Sequence, residues 1–389
     1  MRPHAFVNSV CAALEACLLL TLANTAHGLV KFDDGHDEIF VTGTVGVGYD
    51  SNVFATSDAK GDTTFNSSLG LDYQRKAGMI GVNGNLGWNF TKFDRNASED
   101  FADPHVHAEL TKSGGRTTGS LTLGAERRSR AEDALNLRTV SWDYNAGLNV
   151  KYPVIERYSI AGQLGYDYQD YLKNPALFDI RAYTAAADLY YVYTSERDLL
   201  GGYRLRVTDT TNGTRSYDHA FTLGTTGKLL PKLNGTIRLG YQFRETDRGH
   251  LAALSPDRSN DRYDAFTAST SATWTVTRRL NVTGIASRDF STLATDINVD
   301  TTAVMVDANF AAKAKLSLFS GVGGGYMRYL GAASNGRTDT YATTHAGVNY
   351  TFNDHLKISL TGLYYKNWSL LDRADYVRRT ISLIVSSRW

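Results

Sequence analysis

The sequence predicts an all-β protein, an antiparallel up-and-down transmembrane β-barrel of about 18 strands with short periplasmic turns and longer extracellular loops. Three observations predict it. Apolar and polar residues alternate almost without interruption from Val41 to Trp389. The connections between the alternating segments are short and long in turn. The composition is rich in Tyr (23) and Gly (35) and poor in Pro (6), as long strands with aromatic girdles require.

Length and charge narrow the class of protein further. The 389 residues suffice for one large barrel or two ordinary domains. The net charge of +1 gives no indication of a nucleic-acid partner. The mature segment contains no run of roughly 18 apolar residues, the length that a spanning helix requires. Any crossing of a membrane is therefore expected to use strands.

The amino terminus has the pattern of a secretory signal peptide, which we assign to residues 1–28. Arg2 supplies the positive start, the apolar stretch is strongest over 16–23, and 26–28 offers small residues for cleavage. Residues 29–37 follow as a short periplasmic leader, and 38–389 form the barrel. These features indicate the envelope of a Gram-negative cell.

Both cysteines, Cys11 and Cys17, lie within the predicted signal peptide. Residues 14–17 could be taken for a lipid-attachment box, but Glu15 fits it badly and the apolar run continues past Cys17. The mature chain is therefore expected to have neither a disulfide nor a reactive thiol.

Strict period-two alternation identifies each strand. The predicted strands are 38–49, 63–75, 79–91, 102–112, 117–129, 138–150, 157–169, 180–193, 198–208, 217–228, 233–246, 262–275, 279–290, 300–312, 315–328, 338–351, 355–367 and 375–389. One face of each is apolar, as with Leu86, Trp88 and Phe90, and we expect it to contact lipid. The other face is polar, as with Asn83 and Asn85, and we expect it to line the lumen.

The connections alternate between two lengths. Short ones are predicted at 76–78, 113–116, 195–198, 229–232, 276–278 and 353–354, and long ones at 50–62, 92–101, 171–179, 247–261 and 291–299. A soluble sandwich would show shorter strands and mixed Greek-key connections. An even number of strands places both chain ends at the rim with the short turns.

The last strand carries a predicted insertion signal. Leu383, Val385 and Trp389 fall on its apolar face, and the sequence ends on that aromatic residue. A terminal strand of this kind resembles the carboxyl-terminal signal by which outer-membrane barrels are recognised. The expected partners are therefore the outer-membrane assembly machinery, outer-membrane lipid and surface glycolipid. An ordinary edge strand of a soluble protein is the alternative reading of this stretch alone.

The first strand and loop carry a family resemblance. Residues 46–54 read G-V-G-Y-D-S-N-V-F. This run resembles the opening strand of the outer-membrane β-barrel porins found with exopolysaccharide synthesis and export genes, where a Tyr-Asp-x-Asn-Val/Leu-Phe-like run enters the first outer loop. The resemblance implies an outer-membrane barrel that passes a sugar polymer or another hydrophilic solute. It transfers no substrate residue to this chain.

Four arginines are the predicted substrate track of the lumen. Arg204 and Arg206 face inward on one strand, and Arg238 and Arg244 face inward two strands along, roughly 10 Å away. Guanidinium groups match carboxylates, so such a wall could hold an anionic sugar chain. The alternative is that Asp188 lies opposite Arg204 and neutralises it.

Other functions are weaker predictions. A barrel enzyme would need a Ser–His pair at the loop rim, which is not evident, so no catalytic activity is expected. His105 and His107 share a strand face but lack the further ligands of a zinc site, so neither a metal nor another cofactor is expected. The remaining alternative to a channel is a structural or receptor barrel with a closed lumen, whose loops bind partners.

Overall fold

The computed structural model of the chain describes residues 30–32, 36–76, 78–247, 261–331 and 334–389. The predicted signal peptide and nearly all of the predicted long loop 247–261 lie outside these described residues.

The described residues form one closed antiparallel barrel of 18 strands, β2 to β19, with a short strand β1 beside it. Their bounds are β1 Val30–Phe32, β2 Asp37–Asp50, β3 Asp62–Arg75, β4 Gly81–Phe93, β5 Phe101–Lys112, β6 Thr118–Glu132, β7 Leu137–Ile155, β8 Tyr158–Leu172, β9 Ile180–Thr194, β10 Arg197–Thr210, β11 Arg215–Leu230, β12 Leu233–Asp247, β13 Asp261–Thr275, β14 Leu280–Thr292, β15 Asn298–Lys313, β16 Leu316–Leu330, β17 Thr338–Thr351, β18 Leu356–Ser369 and β19 Tyr376–Arg388. Each strand pairs with its sequence neighbours, as in an up-and-down barrel.

The last strand closes the barrel by pairing with the first. The ladder between β19 and β2 runs from Thr380 opposite Asp50 to Arg388 opposite Thr42. Two further backbone hydrogen bonds join Trp389 and Val41, one in each direction, at 2.8 and 2.9 Å. Because closure pairs both edges, these two strands expose no free row of backbone groups here.

The predicted strands agree closely with the structure. Each of the 18 predicted segments corresponds to one barrel strand, and the predicted count is confirmed. The largest difference is at β7, which continues to Ile155 rather than ending at 150. Within the predicted leader, Val30–Phe32 pairs with the start of β2 as the short strand β1.

The two rims of the barrel differ in the length of their connections. One rim, here called the short-turn rim, carries turns such as Glu156–Arg157 and contains the end of β19. The opposite rim, here called the long-loop rim, carries longer connections, such as 51–61 between β2 and β3. In outer-membrane barrels the long loops face outward and the short turns face the periplasm. Among the described residues, no helix is long and apolar enough to cross a membrane.

Alternation separates an apolar outer face from a polar inner face. Leu223 and Val322 are 74 % and 62 % exposed on the outside of β11 and β16. Such apolar exposure around a whole protein suits contact with lipid rather than with water. The inner face carries the hydrogen-bonded polar side chains, such as Asn85 with Asp72 and Thr44 with Ser68.

The wall of the barrel is interrupted at one place. The ladder between β13 and β14 runs only from Thr275 opposite Asn281 up to Ala268 opposite Arg288. Above this point β13 continues to pair with β12, and β14 continues to pair with β15. The upper part of the β14–β15 hairpin therefore leaves the wall. This part of the hairpin belongs to the candidate functional site.

Candidate functional site: the mouth and lumen of the barrel

Residues 289–298, here called the lid, form the tip of the β14–β15 hairpin and lie inside the barrel. Phe290 is buried against Ala265 of β13, and its carbonyl accepts a hydrogen bond from Arg206 of β10. Strands β10 and β14 are four positions apart, roughly 19 Å along the wall at 4.8 Å per strand. These contacts therefore require that the hairpin fold over the inner face of β10–β13.

A group of charged side chains, of which Asp218 and Arg244 are buried, fastens the lid to the wall. This arginine clamp consists of Arg204, Arg206, Asp218, Arg244 and Asp289. Asp289 of the lid accepts hydrogen bonds from Arg204 Nη2 at 2.7 Å and Arg206 Nη1 at 3.1 Å. Asp218 of β11 accepts Arg206 Nε at 2.8 Å and a fork from Arg244, at 2.5 and 2.7 Å.

Arg244 lies at the centre of the clamp and is completely buried. Its side chain is 0 % exposed and that of Asp218 is 1 % exposed. Beyond Asp218, Arg244 Nη1 donates to the Ser291 carbonyl at 2.8 Å and to Asn298 Oδ1 at 2.8 Å. A buried guanidinium is tolerated only when its donors are satisfied. Here those acceptors come from both the wall and the lid, so Arg244 joins the two.

The far end of the lid reaches the neighbouring loops. Asp296 accepts hydrogen bonds from Thr210 Oγ1 at 2.8 Å and Asn212 Nδ2 at 3.0 Å, next to the β10–β11 connection. The Ala294 carbonyl accepts the Phe178 N–H at 2.7 Å, in the β8–β9 connection. The lid therefore spans the mouth from β14 towards β8.

Residues 133–136, here called the crossing loop, join β6 to β7 and cross the mouth from the other side. The Ala134 carbonyl accepts a hydrogen bond from Tyr329 Oη of β16 at 3.1 Å. Arg337, just before β17, donates to Asn136 Oδ1 at 2.9 Å. In a barrel of 18 strands, β16 is nine strands from β7 in either direction. The crossing loop thus reaches the opposite wall.

The crossing loop and the lid meet near the middle of the mouth. Leu135 of the loop packs with Ala294 of the lid and with Leu177 of the β8–β9 connection. Asp133 accepts a hydrogen bond from Tyr376 Oη of β19 at 2.5 Å. Together the two segments divide and narrow the opening at the long-loop rim.

The opening-strand motif has a structural task in this mouth. Asp50 binds Arg378 of β19, with Nη2 to Oδ2 at 2.7 Å. Asn52 is fully buried, and its amide donates to the Thr56 carbonyl at 2.7 Å. These contacts fold the β2–β3 connection inward, so that the Ala55 carbonyl accepts a hydrogen bond from Asn136 of the crossing loop.

Below the mouth, a recess of about 650 Å³ lies on the inner wall between β5 and β12. Arg238 crosses it and binds Asp188 with two hydrogen bonds, at 2.8 and 2.9 Å, and the Tyr190 hydroxyl at 3.1 Å. Lys151 Nζ lies 4.2 Å from the centre of the Tyr190 ring. The remaining lining residues include Glu109, Ser120, Asn149 and Gln163. Their donors and acceptors suit a hydroxylated solute.

The four predicted track arginines all face inward, but in two groups. Arg204, Arg206 and Arg244 belong to the clamp, whereas Arg238 lines the recess below. One detail of the prediction is wrong: Asp188 lies opposite Gly202 rather than Arg204, and its partner is Arg238. The reason is the register of the β9–β10 hairpin, which differs from the predicted register by two residues. Whether a solute follows these arginines stays a prediction.

Two acidic partners were missed from the sequence. Asp218 and Asp289 both alternate with outward residues, so period two assigns them to the inner face. Asp218 lies directly opposite both Arg206 and Arg244 in the adjacent strands, so the register of the two hairpins could have found it. Asp289 reaches the arginines only in the folded lid, which alternation cannot indicate. Within the described residues, no three His, Cys, Asp or Glu side chains are grouped as metal ligands.

The residues of the predicted insertion signal lie on the outer face of β19. Leu383 is exposed there, and Val385 follows two residues on. The Trp389 ring stacks on His355 with 4.4 Å between ring centres and 1° between planes. The stack holds the chain end against the β17–β18 turn at the short-turn rim.

Fold, outer face and polar lumen together define a porin-like β-barrel channel of the outer membrane. Residues 216–388 match the family model described as "Putative beta-barrel porin 2". The match runs from β11 to β19, less than half of the chain, and this part is similar to that porin family. It contains Asp218, Arg238, Arg244 and the lid.

Solved porins share the fold. A BenF-like porin from Pseudomonas fluorescens Pf-5 is similar with a TM-score of 0.51 and 11 % identity, over 91 % of this chain and 98 % of that one. Pseudomonas aeruginosa OccK9 (OpdG) is similar with a TM-score of 0.50 and 12 % identity, over the same shares of the two chains. No curated protein matches the sequence significantly.

Proposed function

We propose that this barrel passes small hydrophilic solutes through a mouth narrowed by the lid and the crossing loop. The observation that carries the proposal is the contact between these two segments, Leu135 against Ala294, above a polar lumen. A wide barrel of 18 strands has room for water and solute in its interior. The two segments then set the upper size of what passes.

Liposome swelling with the refolded, purified chain tests this proposal. We expect monosaccharides and disaccharides to enter rapidly and dextrans to be excluded, with single-channel conductance in planar bilayers. Absence of both swelling and conductance would support instead the closed barrel that binds partners through its loops. Free entry of dextran would contradict the size limit.

Releasing the lid is a sharper test of the same proposal. Asp289→Asn weakens the acceptor that holds Arg204 and Arg206 to the lid, so we expect a higher conductance and a larger solute limit. Asp307→Asn is the matched control, because Asp307 also faces inward but contacts His345, at 3.1 Å, within the wall. Equal effects of the two variants would show that the lid does not set the opening.

Preference for anionic solutes is a narrower part of the proposal, and it rests on Arg238. The clamp occupies Arg204, Arg206 and Arg244, whereas Arg238 borders the recess. Arg238→Ser removes a positive charge and leaves Asp188 unpaired, so we expect ion selectivity to shift towards cations. Lys228→Ser is the control, since Lys228 binds Glu196 at the short-turn rim. Unchanged selectivity in Arg238→Ser would remove Arg238 from the solute path.

Export of an exopolysaccharide is the second candidate, favoured by the motif at 46–54. A polymer would require the lid and crossing loop to move aside. A cysteine pair, Ala55→Cys with Asn136→Cys, places thiols where Asn136 Nδ2 lies 3.2 Å from the Ala55 carbonyl. Cross-linking should stop polymer export in cells while the single-cysteine controls still export. Continued export by the cross-linked protein would exclude the route through this mouth.

A further inference from the structure

Three rings on the inner face of β16 and β17 each lie over a glycine of the neighbouring strand. The pairs, directly opposite in register, are Tyr341 with Gly325, His345 with Gly321 and Phe319 with Gly347. A β-carbon at Gly325 would stand 2.6 Å from Tyr341 Cε1, and the other two glycines are covered at least as closely. A glycine in a strand permits such an approach of a neighbouring group. The three rings therefore lie along the wall.

Alternation places the rings on the lumen side of the wall. Val322 and Val348 are exposed on the outer face of the same strands, and the rings occupy alternate positions. The wall is continuous at this height, because the row of Gly325 continues through Ala303 to Ser287, within the β13–β14 ladder. The three ring residues are half-buried. One side of each ring packs on the wall, and the other side is left to the lumen.

Neighbouring side chains extend the rings into a strip. Tyr365 of β18 stacks beside Tyr341, with 5.6 Å between ring centres and 22° between planes. Leu363 lies directly opposite His345 on the same inner face. The ring centres of Phe319 and His345 are 6.1 Å apart. These five side chains, here called the aromatic strip, extend roughly 20 Å along the wall from the level of Tyr341 to that of Phe319.

The charged groups beside the aromatic strip have partners. His345 Nε2 lies 3.1 Å from Asp307 Oδ1. Arg378, directly opposite Tyr365, binds Asp50 at 2.7 Å. A solute that binds here therefore need not carry a charge.

Uncharged polar groups border the rings. Thr361 of β18 lies directly opposite Gly347, the glycine beneath the Phe319 ring. Ser359 Oγ donates to Asn349 Oδ1 at 2.7 Å on the same inner face. The aromatic strip is thus an apolar surface with hydroxyl and amide groups beside it, in a lumen wide enough to hold water. Such a surface favours a solute that has both an apolar face and hydroxyl groups.

We propose that the aromatic strip binds neutral sugars by stacking their pyranose rings on Tyr341 and Phe319. A pyranose carries C–H groups on its faces and hydroxyl groups at its edge, so it buries apolar surface on a ring while its hydroxyls meet polar groups and water. The negative face of an aromatic ring also attracts the partly positive C–H hydrogens. This inference rests on the proposed passage of hydrophilic solutes and names a class of solute for it.

The aromatic strip lies on the path of that solute. At its upper end, Tyr365 contacts Tyr376 with 5.7 Å between ring centres, and Tyr376 holds Asp133 of the crossing loop. At its lower end, Phe319 lies near the start of β16 at the short-turn rim. The strip therefore leads from the narrowed mouth down the inner wall.

Binding of maltopentaose to the refolded chain, in a detergent without a sugar headgroup, tests the proposal by saturation-transfer NMR. We expect transfer to the C–H protons of the glucose rings. The double variant Tyr341→Leu and Phe319→Leu should weaken binding about fivefold, because each lost stack is a modest contact. The double variant Tyr341→Phe and Phe319→Tyr keeps both rings and should bind as the native chain does.

Two single variants complete the comparison. Phe319→Leu alone removes one ring, so it serves if the double variant does not fold, and it should weaken binding about twofold. Tyr364→Leu removes an aromatic residue from the outer face of the same wall and should leave binding unchanged.

Conductance recorded on the same preparation separates this inference from the proposed function. No binding of maltopentaose, or equal binding by the two double variants, would overturn the sugar site even if the chain conducts ions and passes monosaccharides. Binding of maltopentaose without conductance would support the aromatic strip as a site and contradict the proposed passage. Binding of benzoate in preference to maltopentaose would overturn the sugar as ligand.

Discussion

At the scale of single residues, the clamp shows how a membrane barrel can hold charge in its interior. Asp218 is nearly inaccessible and is the common acceptor of Arg206 and Arg244. Breaking a buried ion pair from one side is costly, because the remaining charge is left without compensation. Replacing Asp218 is therefore expected to reduce the stability of the barrel more than replacing an exposed charged residue at either rim.

The first prediction is that Asp218→Asn destabilises the barrel and loosens the lid. Loss of the carboxylate leaves the buried Arg244 without an acidic partner among the described residues and Arg206 with Asp289 alone, at a cost of about 3–5 kcal/mol. Urea unfolding of the refolded chain in micelles measures the cost, and proteinase K cleavage within 293–297 reports the lid. Asp209→Asn, which affects the exposed pair with Arg215, is the control and should change neither.

At the scale of elements, the crossing loop is joined to β19 by an ionisable group, Asp133, which accepts a hydrogen bond from Tyr376. Burial raises the pKa of Asp133, while the Tyr376 hydroxyl and the cations of Arg378 and Arg130 oppose that rise. A carboxyl whose pKa is higher in the docked state takes up a proton more readily there. Docking of the loop is therefore favoured at low pH and weakened as pH rises through the raised pKa.

The second prediction follows from this sign. Single-channel records should show a mouth that is more often narrowed near pH 4 and more often open at higher pH. Asp133→Asn cannot ionise, so its gating should become independent of pH over the same range. If Asp133→Asn keeps the pH dependence of the native chain, another ionisable group causes that dependence.

The third prediction concerns β19, the strand that closes the barrel. Deleting Trp389, or replacing it with Asp, removes the stack on His355 and, in the deletion, both hydrogen bonds to Val41. We expect the variant chain to be degraded or left in the periplasm, as seen by fractionation and heat-modifiable mobility. Trp368→Ala is the control, because Trp368 is an outward aromatic near the other rim and should still allow insertion.

At the scale of the whole molecule, an even number of strands and two unequal rims fix the orientation. Both ends of the barrel sequence, at Asp37 and Arg388, lie at the short-turn rim. The ends of β12 and β13 that flank residues 248–260 lie at the long-loop rim. The long-loop rim is therefore expected to face the outside of the cell.

The fourth prediction tests this orientation. An epitope tag inserted near Ser255 should be labelled on intact cells. The same tag inserted at 276–279, in the short turn between β13 and β14, should be labelled only after lysis. The reverse pattern would invert the barrel in the membrane.

The sequence alone determined the wall of this protein. Strict alternation with period two identified every barrel strand and assigned Arg238 and Arg244 to the inner face, because each residue along a strand changes side. The alternation of short and long connections indicated the up-and-down order of the strands, because each short turn joins two neighbouring strands. The β7 end was missed by five residues, since Lys151 to Ile155 continue the strand into the rim, where polar and apolar residues no longer alternate.

Only the tertiary structure decided what fills the mouth. The lid contacts β10, four strands away, and the crossing loop contacts β16, half a barrel away, and no local pattern encodes contacts over such separations. The same distance hides the contacts of Arg206 and Arg244 with the lid, since Asp289, Ser291 and Asn298 reach them only after the β14–β15 hairpin leaves the wall. Their other partner, Asp218, lies directly opposite both arginines in the adjacent strands. Alternation predicts which face of a strand a residue lies on, and only the tertiary structure decides which side chains it contacts there.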